Sequence, residues 1–212
     1  YIKNPDDNCL CLLLQHNYED LLGMVQLVSL YAFDSFFDGH FVPVSTAVSV
    51  YRKMDGTKGL EFIISCRIDN QLPAAITCNN KHFYLHTDQN YAAFRIPLLQ
   101  GELKYFFPNY KDYFYLPDED RSIHKSVAAY VDKAHRQKSR ASNCYSKKTG
   151  IFLPQYEEVI TPAFYTEYKS KISYFELPEY FQGSSTDYTD DKLMLLKNYC
   201  MHILKILKTG IS

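Results

Sequence analysis

The sequence predicts an α+β fold: N-terminal helices, then an antiparallel β meander closing into a sandwich or partial barrel, with two further helices. Three observations predict it. Apolar residues recur at helical spacing before residue 40, short alternating segments between polar turns follow from Val44, and two later stretches return to a helical stripe. The 212 residues suit one large domain or two small ones. With 46% apolar and 22% charged residues, the chain has enough core-forming material to exclude wholesale disorder.

Pro5-Asp6-Asp7 supplies helix start signals, a proline allowed in the first turn and acids at the positive end of the helix dipole. Cys9, Leu12 and Leu13 continue that helix. A second is expected from about Asn17, with Leu21, Leu22, Val25, Val28 and Tyr31 on one face and Gly39 as its end. Strands are expected over Thr46–Arg52, Leu60–Ile68, Ala74–Cys78, His82–His86, Tyr91–Ile96 and Leu98–Phe107. The turns between them carry Asp55-Gly56, Asp69-Asn70, Asn79-Asn80 and Asp88-Gln89.

A third helix is expected from Pro117-Asp118-Glu119-Asp120, its apolar stripe formed by Ile123, Val127, Tyr130, Val131 and Ala134. Lys147-Lys148-Thr149-Gly150 reads as a hairpin turn, and Tyr165–Leu177 stays open between strand and irregular structure. Gln182–Asp187 reads as a polar loop. Thr189 caps a final helix carrying Leu193, Leu196, Tyr199, Cys200, Ile203 and Leu207.

The 23 basic and 24 acidic residues leave a net charge of −1, which excludes a uniformly basic nucleic-acid coat protein but permits a local basic patch. Six cysteines without Cys-x-x-Cys spacing point to small buried apolar residues in a reducing, cytoplasmic setting. Gln26, Ser29 and Asp34 interrupt the apolar run Leu21–Phe37, so no membrane span is expected. The first residue is Tyr, and the chain reads as a piece of something longer.

Two groups of residues can carry chemistry. His16 and Asp20 are four apart, so on a helix they share a face, where a carboxylate can ligate a metal and an imidazole can handle a proton. The plain alternative is two polar residues decorating a helix. The second group is a basic segment: Arg121, Lys125, Lys133, Arg136, Lys138, Arg140, Lys147 and Lys148, with Asp132 as the one intervening acid. These cations can neutralise phosphates, with Tyr113, Tyr115 and Tyr145 near enough in sequence to stack on unpaired bases; a solvated helix face is the competing reading. His82 and His86 would share a strand face and, with Asp88, form a less specific metal candidate.

The string His16-Asn17-Tyr18-Glu19-Asp20-Leu21-Leu22-Gly23 resembles the last motif of ribonuclease H-like exonucleases of the four-carboxylate type. Lys111-Asp112-Tyr113-Phe114-Tyr115-Leu116-Pro117, Ile123-His124-Lys125-Ser126-Val127-Ala128, Phe152-Leu153-Pro154-Gln155 and Lys171-Ile172-Ser173-Tyr174-Phe175-Glu176 resemble the YprB-type branch. The resemblance implies a nuclease domain ending within residues 1–40 and an accessory α+β domain over residues 44–212. It implies Mg or Mn held by four carboxylates, with Asp20 as the fourth ligand and His16 where relatives carry Tyr. The other three carboxylates, on an Asp-x-Glu strand and its neighbours, would come from an upstream nuclease domain of the same polypeptide, so the chain alone is expected to be inactive. Nucleic acid is the implied partner. The alternative from a different class is a protein-interaction or homo-oligomerisation module with no catalytic role.

Overall fold

The computed structural model describes residues 6–53, 55–181 and 188–210. Pro5 and the expected loop Gln182–Asp187 lie outside these. The α+β class holds: helices at both ends flank eleven β-strands, all paired antiparallel.

Helix α1 (Asp7–Val28) is capped by Asp6, whose side chain accepts the Asn8 amide. It runs unbroken through the helix boundary expected near Asn17. Nothing there stops it, because residues 15–20 contain neither Gly nor Pro. Two i,i+4 contacts span the spot, Gln15 to Glu19 at 2.9 Å and His16 to Asp20 at 2.9 Å. Ser29 and Leu30 separate it from the short α2 (Tyr31–Phe37), which ends before Gly39 at φ +97°.

The first sheet has the order β1-β2-β5-β4-β3, built from β1 (Phe41–Arg52), β2 (Lys58–Ile68), β3 (Thr77–Asn79), β4 (Tyr84–Thr87) and β5 (Tyr91–Pro97). Its turns use the expected chemistry. The Asn80 carboxamide accepts the amides of His82 and Phe83, and the Asp55 carboxylate accepts those of Thr57 and its hydroxyl. A second sheet joins β6 (Leu99–Phe106), β10 (Tyr145–Gln155) and β11 (Ser173–Glu176) in the order β11-β10-β6. A third, β8-β7-β9, is made from β7 (Tyr113–Leu116), β8 (Arg121–His124) and β9 (Gln137–Lys138).

Two sequence expectations fail here. Residues 117–134 do not form one helix: Asp120 takes φ +49°, Pro117–Asp120 becomes the turn joining β7 to β8, and only the single α-helical turn α3 (Lys125–Ala128) and a 3-10 turn beginning at Lys133 are helical. Pairing of Arg121–His124 with Tyr113–Leu116 overrides the helical stripe, whose Ile123, Val127 and Val131 are β-branched. Lys147–Gly150 is not a hairpin turn but the middle of β10, because β6 offers a continuous partner from Phe106 opposite Tyr145 to Leu99 opposite Phe152. Tyr165–Leu177 resolves into bridges at Tyr165 and Tyr174 around β11.

Helix α4 (Asp190–Thr209) closes the main core over one face of the first sheet. Phe36, Phe41, Phe62, Ile64, Phe94 and Ile96 pack there with Leu196, Tyr199, Ile203 and Ile206, all buried. Each large side chain removed from water contributes about 2 kcal/mol. The Tyr199 hydroxyl donates to the Pro154 carbonyl at 2.8 Å, tying α4 to β10. All six cysteines are free thiols; Cys66, Cys144 and Cys200 are buried.

Candidate functional site

His16 and Asp20 lie on α1, a helix with no buried residue. Their side chains are 75% and 64% exposed, with His16 Nδ1 2.9 Å from Asp20 Oδ2. The helix spacing thus brings the two groups together in the open. A divalent cation takes about six oxygen ligands. Asp20 supplies one carboxylate, and among the described residues no group of three or more His, Cys, Asp or Glu side chains is placed to hold a metal. These residues alone do not fit Mg or Mn. Leu14, Leu21, Met24, Val25 and Val28 are also exposed on α1, and nothing among the described residues covers them. The helical run Asp7–Phe37 is long and apolar enough to cross a membrane by length and composition alone, although Glu19 and Asp20 would be costly there.

The basic segment is spread over β8, α3, β9 and β10, and most of its cations already have partners. Arg121 pairs with Glu119 at 2.5 Å, Lys125 with Asp112 at 2.7 Å and Lys148 with Glu176 at 2.6 Å. Lys147 sits 2.5 Å from Asp120 and 3.3 Å from Glu102. The Arg136 guanidinium donates to the Ala128 carbonyl and lies over the Phe114 ring. Lys133, Lys138 and Arg140 are exposed, with no ion pair among the described residues. The three tyrosines are likewise engaged. Tyr113 stacks on Phe107 at 4.4 Å; the Tyr115 and Tyr145 hydroxyls both donate to Asp120, and Tyr145 is buried.

Asp120 is therefore a hub. Hydrogen bonding to Lys147, then to Tyr115 and Tyr145, holds its carboxyl far below the ordinary carboxylate range. Burial, and next the bond to Asp120, pushes the Tyr145 phenol well up. The arrangement clamps the β7–β8 turn to β10 rather than opening a charged surface.

The two histidines do not form a pair. His82 precedes β4 and bonds the Tyr156 hydroxyl through Nδ1 at 2.9 Å, whereas His86 is on β4 and bonds Thr77 at 3.0 Å.

One surface went unnoticed in the sequence, the face of the five-stranded sheet opposite the core. Its register aligns Ala47, Ile63, Arg95 and Tyr84 in one row, and Ser45, Ser65, Ala93, His86 and Thr77 in the next. Tyr51 and Tyr84 line a groove of about 430 Å³ on it, with Glu61, His86, Ala93 and Arg95, and Tyr91 stands on the same face opposite Arg67. The signal was the alternation of Tyr91, Ala93 and Arg95 with the buried Ala92, Phe94 and Ile96. No known protein family, curated protein or solved structure matches the chain.

Proposed function

We propose that the chain is the C-terminal part of a YprB-type, ribonuclease H-like, metal-dependent 3'–5' exonuclease, inactive by itself, whose α+β domain contacts a nucleic-acid strand. The observation that carries this reading is α1. It presents a paired imidazole and carboxylate beside apolar side chains that nothing among the described residues covers, as a helix does when the body it completes is elsewhere. In that body Asp20 would join carboxylates outside these residues to hold Mg or Mn, and His16 would orient or deprotonate the attacking water. The bound ions would supply an activated water and neutralise the phosphate charge.

The test compares the chain with a polypeptide extended upstream through its nuclease domain, both given a labelled single-stranded oligonucleotide and Mn²⁺. The extended protein releases nucleotides, its Asp20→Asn variant loses at least 100-fold in rate (roughly 3 kcal/mol of barrier), and the chain alone releases none. Full activity in Asp20→Asn overturns the reading. The exposed apolar side of α1 also favours a second reading, a protein-docking or self-association helix; light scattering of the chain separates the two, since a stable dimer with no oligonucleotide affinity supports the second.

A further inference from the structure

The two faces of the five-stranded sheet differ in kind. One is sealed by α4 and α2. Among the described residues no element lies over the other: Tyr84 is 38% and Tyr91 58% exposed, and Arg67, Arg95 and His86 are exposed beside them. Between these larger groups the floor is mostly small side chains, Ser45, Ser49, Ser65, Ala47 and Ala93, around Ile63.

Tyr51 shows how the surface is prepared. It stands opposite Gly59, and a Cβ at Gly59 would meet its ring at 2.7 Å, so the phenol end of the ring reaches over the backbone of β2. The same ring lines the groove with Tyr84, and aromatic rings of this kind are platforms on which planar bases stack.

The charge on this face also has a sign. Its one carboxylate among the described residues, Glu61, is nearly buried and paired with Arg95 at 3.5 Å. Arg67 has no ion pair there and leaves the face net positive. A protein-binding patch would place large aliphatic side chains at its centre; here Ile63 is the one such residue between serines and alanines. Flat aromatic rings, arginines and a floor of small side chains fit unpaired bases on a sugar–phosphate strand.

We infer that the uncovered face of the five-stranded sheet binds single-stranded nucleic acid, with bases stacking on Tyr51, Tyr84 and Tyr91 and phosphates meeting Arg67 and Arg95. This rests on the reading that the domain contacts a nucleic-acid strand, and it moves the contact away from the segment 121–148, where Arg121, Lys125, Lys147 and Lys148 are paired with acids. Rows on one face of a strand repeat about 7 Å apart, so an extended strand can engage successive rows.

The experiment titrates the 212-residue chain into fluorescein-labelled oligothymidylate and oligouridylate, read by anisotropy at two salt concentrations. Tyr84→Ala and Tyr91→Ala each weaken binding about tenfold, and Arg67→Glu weakens it and lowers the salt slope by about one. The pair Lys147→Glu with Lys148→Glu leaves it within about twofold. Far-ultraviolet dichroism checks that each variant folds: Tyr84, Tyr91 and Arg67 are exposed, whereas Lys147→Glu also removes the Asp120 ion pair. If the native chain binds and only the Lys147/Lys148 reversal abolishes binding, this inference fails while the nucleic-acid reading stands. If the native chain binds neither oligonucleotide, both fail. Sheet variants that change the mass by light scattering but leave anisotropy untouched would make the face a protein-docking surface and overturn it.

Discussion

The ring of Tyr51 and the backbone of Gly59 are in such close contact across the β1–β2 pair that no side chain fits between them. Gly59 has no left-handed backbone requirement, so alanine there is excluded only by the ring. Gly59→Ala is expected to destabilise the chain by about 1 kcal/mol through overpacking. In a Tyr51→Ala background the same change should stabilise by about 0.5 kcal/mol, because it then only removes unfolded-state freedom. Urea unfolding of the four variants closes the cycle.

Asp120 accepts bonds from Tyr115, Tyr145 and Lys147. Asp120→Asn is expected to cost about 1 kcal/mol near neutral pH, at the low end for a charged hydrogen-bond hub because the side chain is 42% exposed. The folded carboxyl titrates below its ordinary value of 3.8, so its contribution is present above about pH 4 and lost as the pH falls further. The deficit of Asp120→Asn should therefore shrink between about pH 5 and pH 3, measured by thermal unfolding across that range.

His202 is 4% exposed, and its Nε2 accepts the Tyr156 amide at 3.0 Å, which puts the proton on Nδ1. Burial lowers its proton affinity below the ordinary 6.5, and His82 is lowered by burial in the same way. The unfolded chain then binds more protons, so stability is intact above about pH 6.5 and falls as acid is added through that value. His135, paired with Asp118 at the surface, is shifted upward and works against this slope. His202→Gln, which keeps an acceptor for Tyr156, should flatten the loss between about pH 7 and pH 5 in denaturant titrations.

Tyr199 is 1% exposed, and its hydroxyl serves the buried Pro154 carbonyl. Tyr199→Phe should cost about 1–2 kcal/mol by leaving that oxygen unpaired, and Tyr199→Ala about 4 kcal/mol by adding a cavity. Calorimetry of the two variants separates the bond from the packing.

The sequence made the first half legible because its turns carry their own chemistry. Asp55 and Asn80 fold back on local amides whatever lies further along the chain, and the strands between them followed. Residues 117–150 depart from their local sequence pattern because their outcome depends on distant partners. The stripe of Ile123, Val127 and Val131 suits a helix by period, but pairing with Tyr113–Leu116 decides it. The Lys147–Gly150 stretch suits a turn by composition, but β6 extends it. The His16–Asp20 pair was readable because spacing on a helix fixes it. The cations of 121–148 were countable, yet pairing of Lys147 with Asp120 and of Lys148 with Glu176 is a tertiary fact that no local pattern reveals.

Helix α1 buries none of its 22 residues, so only its own backbone ladder and a few surface contacts protect it. Its amides should therefore exchange with deuterium through local opening alone, long before those of β2, which is bonded on both edges. Any body that seats itself on the helix will slow that exchange, making residues 7–28 a built-in gauge of assembly.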